Sequence, residues 1–151
     1  MNSFYPTVRV KRLDKDAPMP EQAHDGDAGF DLCSMDTVEI APQGTVKVHT
    51  GIAVAIPKGF EGTIRPRSGM ATKRGVTLAN TPSTIDSGYR GEVFLALYNL
   101  GHDVVTVERG ERVAQMLIKV QPETTFVEVD DFDDTTDRGS GGFGSSGYGR
   151  L

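Results

Sequence analysis

Gly51-Ile52-Ala53-Val54-Ala55-Ile56-Pro57 decides the fold class. Ile52, Val54 and Ile56 recur at every second position, with Ala53 and Ala55 between them, which is the period of a strand. Gly51 and Pro57 are expected to close the run. On either side the apolar signal has the same short-block character. Val93 to Leu97, Val104 to Val107, Val113 to Val120 and Phe126 to Val129 are runs of four to eight residues, partly β-branched or aromatic. Turn formers separate them: Pro42-Gln43-Gly44, Lys58-Gly59, Asn99-Leu100-Gly101 and Arg109-Gly110-Glu111. Short strands between turns predict an all-β, jelly-roll-like sandwich or barrel. Helix is scarce, with one or two turns expected around Met70 to Arg74. There is no internal repeat and no heptad pattern.

The chain of 151 residues has the size of one domain. Folding at this length removes about 70% of the unfolded surface, enough for a self-sufficient core. Gly at 18 and Pro at 8 suit strands joined by turns. Sixteen basic against 21 acidic residues leave a net charge of −5. Non-specific binding to nucleic acid or to an anionic membrane needs a basic surface, so both are disfavoured. Any phosphate must therefore be held by a local arrangement. No apolar run approaches the ~20 residues of a membrane helix, and Met1 to Pro20 lacks the apolar core of a secretory signal. The single Cys33 excludes an internal disulfide and fits a reducing cytoplasm.

Composition changes after Gln121. Glu123 to Asp137 holds seven acidic residues and no basic one, and six of the eleven residues from Gly139 to Gly149 are glycine. That composition suits a disordered tail, yet Arg138 and Phe143 are set into it, and a pure linker needs neither. From Val120 to Arg138 the chain can reach about 60 Å, far enough to cross onto a neighbouring subunit.

Several chemistries are missing. His24, His49 and His102 are scattered, one cysteine does not make the usual zinc site, and neither a G-x-S-x-G elbow nor a P-loop occurs. The alternating helices of a Rossmann fold are absent. Four stretches remain. Arg65-Pro66-Arg67-Ser68-Gly69 places cations and a hydroxyl beside a glycine, which suits either an anion site or an ordinary polar turn. Asn80 to Gly91 reads as a β-hairpin whose backbone edge and Tyr89 ring suit a planar base. Within it, Asp86 is either a carboxylate that takes a proton from water or a turn cap. Arg138 to Gly147 suits wrapping a polyphosphate, with Phe143 closing over a base. Asp25, Asp27 and Asp31 either organise Mg²⁺ through waters or form a solvated acidic loop.

Taken in order, these segments resemble the motifs of the homotrimeric dUTPase family (deoxyuridine triphosphate nucleotidohydrolase). They are Asp27 to Leu32, Pro66 to Ala71, Asn80 to Gly91, Gly110-Glu111-Arg112-Val113-Ala114-Gln115-Met116-Leu117, and Arg138 to Gly147. The resemblance covers residues 27–147. It implies a jelly-roll domain over residues 1–122, with an acidic connector and glycine-rich arm over residues 123–151. It also implies a three-fold trimer whose sites are shared between subunits, the arm of one closing a cleft between the others. The implied reaction is dUTP plus water to dUMP and pyrophosphate, by in-line attack on the α-phosphorus. It keeps uracil out of DNA and supplies dUMP for dTMP synthesis.

By the same resemblance, Asp86 holds the attacking water. Tyr89 lies under the deoxyribose and excludes a 2′-hydroxyl. Asn80 and the backbone of Thr84 and Ile85 up to Asp86 read uracil, and Phe94 lines the pocket. Arg67, Ser68 and Gly69 form the phosphate turn, and Gln115 reaches the α-phosphate region. Arg138, Gly144 and Ser145 belong to the arm that holds the terminal phosphate, with Phe143 stacked on uracil. Mg²⁺ is implied on the triphosphate with no direct protein ligand, Asp31 contacting its waters.

The family usually has Gly at the position of Ser83, and a positive φ there would strain a serine. Two other readings share the fold: a dCTP deaminase, alone or bifunctional, for which Glu92 is the hairpin's acid/base candidate, and a non-catalytic nucleotide-binding trimer.

Overall fold

The Ile52–Ile56 alternation belongs to a strand about twice its length. In the computed structural model, which describes residues 5–132, 135–143, 145 and 147, that strand runs Thr45–Ala55. Gly51 does not end it. It sits mid-strand at φ 68°, where the register to the next strand shifts between His49 and Ala53. Three residues of β4, Thr50 to Ile52, lie there against the single Val93 of β8, so the irregularity adds two residues on one side of the ladder and bends the strand.

In chain order the elements are β1 (Arg9–Arg12), β2 (Phe30–Cys33), β3 (Val38–Ile40), β4 (Thr45–Ala55), β5 (Phe60–Pro66) and α1 (Ser68–Arg74). They continue with β6 (Val76–Leu78), β7 (Ser83–Ile85), β8 (Glu92–Asn99), β9 (Val105–Val107) and β10 (Arg112–Val120). The expected blocks at 93–97, 104–107 and 113–120 are β8, β9 and β10, and the expected helix is α1. Every pairing is antiparallel. One sheet has the order β1-β4-β8-β6, a second β2-β10-β5-β7, and β3 pairs with β9. This is the antiparallel, jelly-roll-like architecture that the short alternating blocks predict.

One core joins the sheets. Val48, Ile52 and Val54 of β4 and Val93, Leu95 and Leu97 of β8 share it with Leu32, Ile64, Val113 and Met116 of the second sheet. Burial along β8 alternates strictly, so Glu92, Phe94, Ala96 and Tyr98 lie on its outer face. Each fully buried Val, Leu or Ile contributes about 1.5–3 kcal/mol relative to an exposed one. Asn99, expected in a turn, ends β8 fully buried. Its amide donates to Ile40 O (2.9 Å) and Asp103 O (2.7 Å) and accepts from Gly101 N–H (2.8 Å), so the buried polar group is satisfied.

Phe126 to Val129, expected as a strand, is not one. Phe126, Val127 and Val129 are 96%, 76% and 55% exposed. A strand needs a ladder partner and a surface for its apolar face, and the chain's own sheets offer this segment neither. Among the described residues no helix is long and apolar enough to cross a membrane.

Candidate active site

Two depressions hold most of the predicted site residues. The larger, about 770 Å³, is lined by the loop before β2, by β2, by the start of α1 and by β10. Cross-strand pairing builds its floor. Asp31 lies opposite Gln115, so these two polar side chains share one face and line the depression while Leu32 and Ala114 turn inward to the core; Arg65, opposite Gln115, lies beyond the lining.

Asp31, 13% exposed, is gripped from both sides: Arg67 Nε donates to Oδ1 at 2.9 Å and Arg112 Nη1 to Oδ2 at 3.1 Å. Arg67 also donates to the Arg112 carbonyl (3.2 Å). Both guanidiniums are thereby held at the cleft wall. Lys73 and Arg74 add cationic lining, and Arg74 is tied to Glu111 and to the Thr106 carbonyl. Ser68 and Gly69 open α1 and are exposed to the cleft. In a chain of net charge −5, this is the local concentration of cations that a polyphosphate requires.

Gln115 is fixed by its Nε2–H donating to Pro66 O (3.1 Å). It packs so closely on Gly29 that a Cβ there would collide with Oε1 and lie 3.2 Å from the Gln115 Cβ. Gly29→Ala is therefore expected to push Gln115 out of the cleft. It should lower kcat/KM for the native substrate by about tenfold while the thermal melt stays close to wild type. Steady-state kinetics beside a melt would check it, and unchanged kinetics would show that Gln115 is not engaged.

The smaller pocket, about 180 Å³, is lined by Thr84, Ile85, Asp86, Tyr89, Glu92 and Phe94. The β-hairpin expected over Asn80 to Gly91 does not form: β7 pairs with β5 in one sheet and β8 with β4 and β6 in the other, so the segment is a short edge strand and a turn that leads across to β8. Bonds to main-chain carbonyls close that turn. Tyr89 N–H donates to Asp86 O (3.0 Å), and Arg90 Nη1 donates to the Ser87 and Tyr89 carbonyls (2.6 and 2.7 Å). The Asp86 backbone thus makes the turn, and its exposed carboxylate lines the pocket instead of capping it. The Tyr89 hydroxyl donates to Glu92 O (2.8 Å), and its ring lies over Gly91, where a Cβ would sit 2.5 Å from the hydroxyl.

Ser83 is not in the left-handed region. It lies in β7, and its hydroxyl donates to Asn80 O (2.5 Å), so serine costs nothing there and closes the turn. Asn80 is exposed at that turn and lines neither depression. Phe94 is flanked by the His49 ring, edge-on at 4.9 Å, and by Lys47 Nζ at 3.8 Å above its face.

The arm is separate from both depressions. Arg138 Nε donates to Gly141 O (3.0 Å), Ser145 N–H donates to Gly142 O, and Phe143 is fully exposed. Gly144 lies outside the described residues. The three acidic residues near Gly29 do not converge. Asp27 caps the preceding turn by accepting from His24 N–H (3.0 Å), and Asp31 serves the two arginines. Among the described residues no three His, Cys, Asp or Glu side chains form a metal cluster.

Several contributors were not singled out from the sequence for these roles: Arg112, Lys73, Arg74, and Gly29 and Gly91 as spacers for functional side chains. Only the register of β10 against β2 reveals Arg112 as the second clamp on Asp31. Cys33 is no nucleophile: burial, then the Asp31 carboxylate, raises its thiol above the usual range, which keeps it protonated at neutral pH.

The antiparallel sandwich, a cationic cleft sized for a polyphosphate and a small aromatic pocket define a nucleotide-binding jelly-roll protein. Comparison with known proteins narrows the class. The dUTPase family pattern matches residues 15–147. The deoxyuridine 5'-triphosphate nucleotidohydrolase of Rhodococcus erythropolis is 49% identical over 142 residues, 93% of this chain and 86% of that protein. The enzyme of the same name from Mycobacterium tuberculosis is 49% identical over 146 residues, 93% of this chain and 95% of that one. Among solved structures, a mutant dUTPase of Staphylococcus bacteriophage 80alpha with dUpNHpp superposes with a TM-score of 0.86 at 31% identity, over 94% of this chain and 99% of that one. A mutant dUTPase from phage phi11 of S. aureus, described with a coordinated structural Mg(II) ion, reaches 0.79 at 26% identity, over 85% and 99%. The chain belongs to the dUTPase family.

Proposed function

We propose that this chain hydrolyses dUTP to dUMP and pyrophosphate, at sites that two or more copies complete together. One observation carries the shared site. β2 and β7 are the opposite edges of one sheet, separated by β10 and β5, and Ile85 pairs with Gly62 while Gln115, the partner of Asp31, pairs with Arg65. Three strand spacings and a three-residue offset put Asp31 about 17 Å from Ile85. A single α-phosphorus cannot touch a water on Asp86 and the Arg67–Gln115 cleft of the same chain. A second copy that brings its β7 and the turn after it to this cleft removes the conflict. A homotrimer, as the family resemblance implies, supplies three such junctions.

In the assembled site each residue has a physical task. Asp86 orients a water for in-line attack and accepts its proton. Tyr89, held under the sugar, leaves no room for a 2′-hydroxyl. The β7 edge from Thr84 to Asp86, with Asn80 at the turn, reads uracil and excludes a 5-methyl group, and Phe94 backs the pocket. Arg67, Ser68, Gly69 and Gln115 neutralise and align the phosphates, which is most of what phosphoryl transfer asks of a protein. Residues 123–151 act as connector and arm, separate from the 1–122 jelly roll: Arg138, Gly144 and Ser145 take the terminal phosphate and Phe143 covers the base.

Magnesium fits this donor set as part of the substrate. Both Asp31 oxygens are already held by arginines, so a water-mediated contact suits it better than direct ligation. The ion supplies charge neutralisation on the triphosphate. The deaminase reading asks Glu92 for a free carboxylate, but Gly51 N–H and His49 occupy it.

Pyrophosphate release from dUTP with Mg²⁺, beside dTTP, dCTP and UTP, tests the proposal. Release from dUTP alone is expected. Ammonia from dCTP would favour the deaminase, and no release from any of the four would leave a binding protein.

A further inference from the structure

The bulge in β4 creates a gap in the β4–β8 ladder at the end of β8 that lines the smaller pocket. Between the His49–Phe94 and Ala53–Glu92 pairs the register is broken. A broken ladder leaves main-chain N–H groups without strand partners, and Glu92 takes one of them. Its side chain, 16% exposed, accepts from Gly51 N–H through Oε1 at 2.8 Å and pairs with His49 Nδ1 through Oε2 at 3.1 Å. Gly51 cannot move to suit another partner. It is at φ 68°, its carbonyl accepts from Leu13 N–H (2.8 Å), and a Cβ on it would lie 2.8 Å from that of Ala17.

The same residue faces the pocket by its backbone. The Glu92 carbonyl accepts the Tyr89 hydroxyl at 2.8 Å, and the His49 ring that its carboxylate holds is the one packed edge-on against Phe94. One residue thus ties a rigid, glycine-bearing bulge to both aromatic rings of the pocket. We propose that Glu92 is a positioning residue for sugar and base recognition: its side-chain clamp on Gly51 and His49 fixes the carbonyl that holds Tyr89 and the ring that backs Phe94. This rests on the dUTP reading of the pocket.

Loss of the clamp lets the end of β8 shift and the Tyr89 ring tilt, so the space that excludes a 2′-hydroxyl opens. The water on Asp86 is less affected, because Asp86 is held by its own turn. The effect therefore falls on KM and on sugar selectivity more than on kcat.

The experiment measures pyrophosphate release from dUTP and from UTP by the full chain, as wild type, Glu92→Ala and Glu92→Gln. Glu92→Ala is expected to raise KM for dUTP about tenfold, to change kcat less than about threefold, and to narrow the preference for dUTP over UTP. Glu92→Gln keeps an acceptor for Gly51 N–H and is expected to restore KM and the preference to within about threefold of wild type. A folded Glu92→Ala with wild-type selectivity would overturn the proposal. So would a Glu92→Gln as impaired as Glu92→Ala, since the charge and not the clamp would then matter. Should Glu92→Ala fail to fold, His49→Ala keeps the Gly51 bond and frees Phe94. It is expected to raise KM about threefold, and an unchanged KM overturns the proposal. A wild-type chain that leaves dUTP intact overturns the dUTP reading itself, whereas an active wild type with an unaffected Glu92→Ala overturns only the positioning role.

Discussion

Asp86→Asn lowers kcat for dUTP by about 10²- to 10⁴-fold and leaves KM within about threefold of wild type. Asparagine keeps the shape of the side chain, so the pocket still takes the base and sugar, but it cannot accept the proton of the attacking water. The fold is indifferent to the change. The turn after β7 is closed by the Asp86 carbonyl and by Arg90, and the carboxylate is exposed at the pocket wall. Steady-state pyrophosphate release, with a melt to show that the variant is folded, is the measurement. A normal kcat would remove Asp86 from the chemistry and return it to an ordinary turn residue.

Truncation after Asp137 lowers kcat by about 100-fold while the melting curve stays that of the full chain. Among the described residues the last strand ends at Val120 and every buried core residue precedes its end, so removal of the arm is expected to cost the sandwich nothing. On the proposed reading, what is lost is Arg138 at the terminal phosphate and Phe143 over the base. The fully exposed Phe143 has no role in this chain's own core. Without the arm the cleft stays open to water, and alignment of the triphosphate depends on Arg67, Ser68 and Gln115 alone. Full turnover by the truncated chain would show that the arm is dispensable, and a lowered melt would show that it braces the fold.

Both expectations start from residues readable in the linear chain, and the readable features share a cause. Period-two alternation, turn dipeptides and a glycine tract are local, set by the geometry of a few consecutive residues. Hence β8, β9, β10 and α1 stand close to where the sequence puts them, and the turn after β7 carries its own chemistry, although the hairpin expected from Asn80 to Gly91 does not form because β7 and β8 pair into different sheets. Ser83 illustrates the boundary. The sequence poses the question of a positive φ there, but only the backbone answers it, with an ordinary φ and a hydroxyl bonded to Asn80.

Phe126 to Val129 marks where locality fails. The segment has the composition of a strand and no ladder partner among the described residues, and composition does not say where a partner lies. Gly51 fails in the other direction. Read locally it ends a strand, but in the fold it bulges one, because Val46 and Val48 before it and Ile52 and Val54 after it bury into one core. Arg112, Gly29 and Glu92 are the site residues of this kind. Arg112 meets Asp31 across 81 residues, and Glu92 meets Gly51 across 41.

The sequence by itself thus determined an all-β chain, the family it resembles, and the residue types suited to a phosphate, a base and a water. The tertiary structure alone decided that Asp31 spends both oxygens on arginines, that Glu92 is bonded to Gly51 and His49 and is not a free acid, and that β2 at the cleft and β7 at the smaller pocket are opposite edges of one sheet. The division follows from range. Strand periodicity and turn preference act between near neighbours, whereas ion pairs, close glycine contacts and the distance between two sheet edges exist only once strands far apart in the chain have paired.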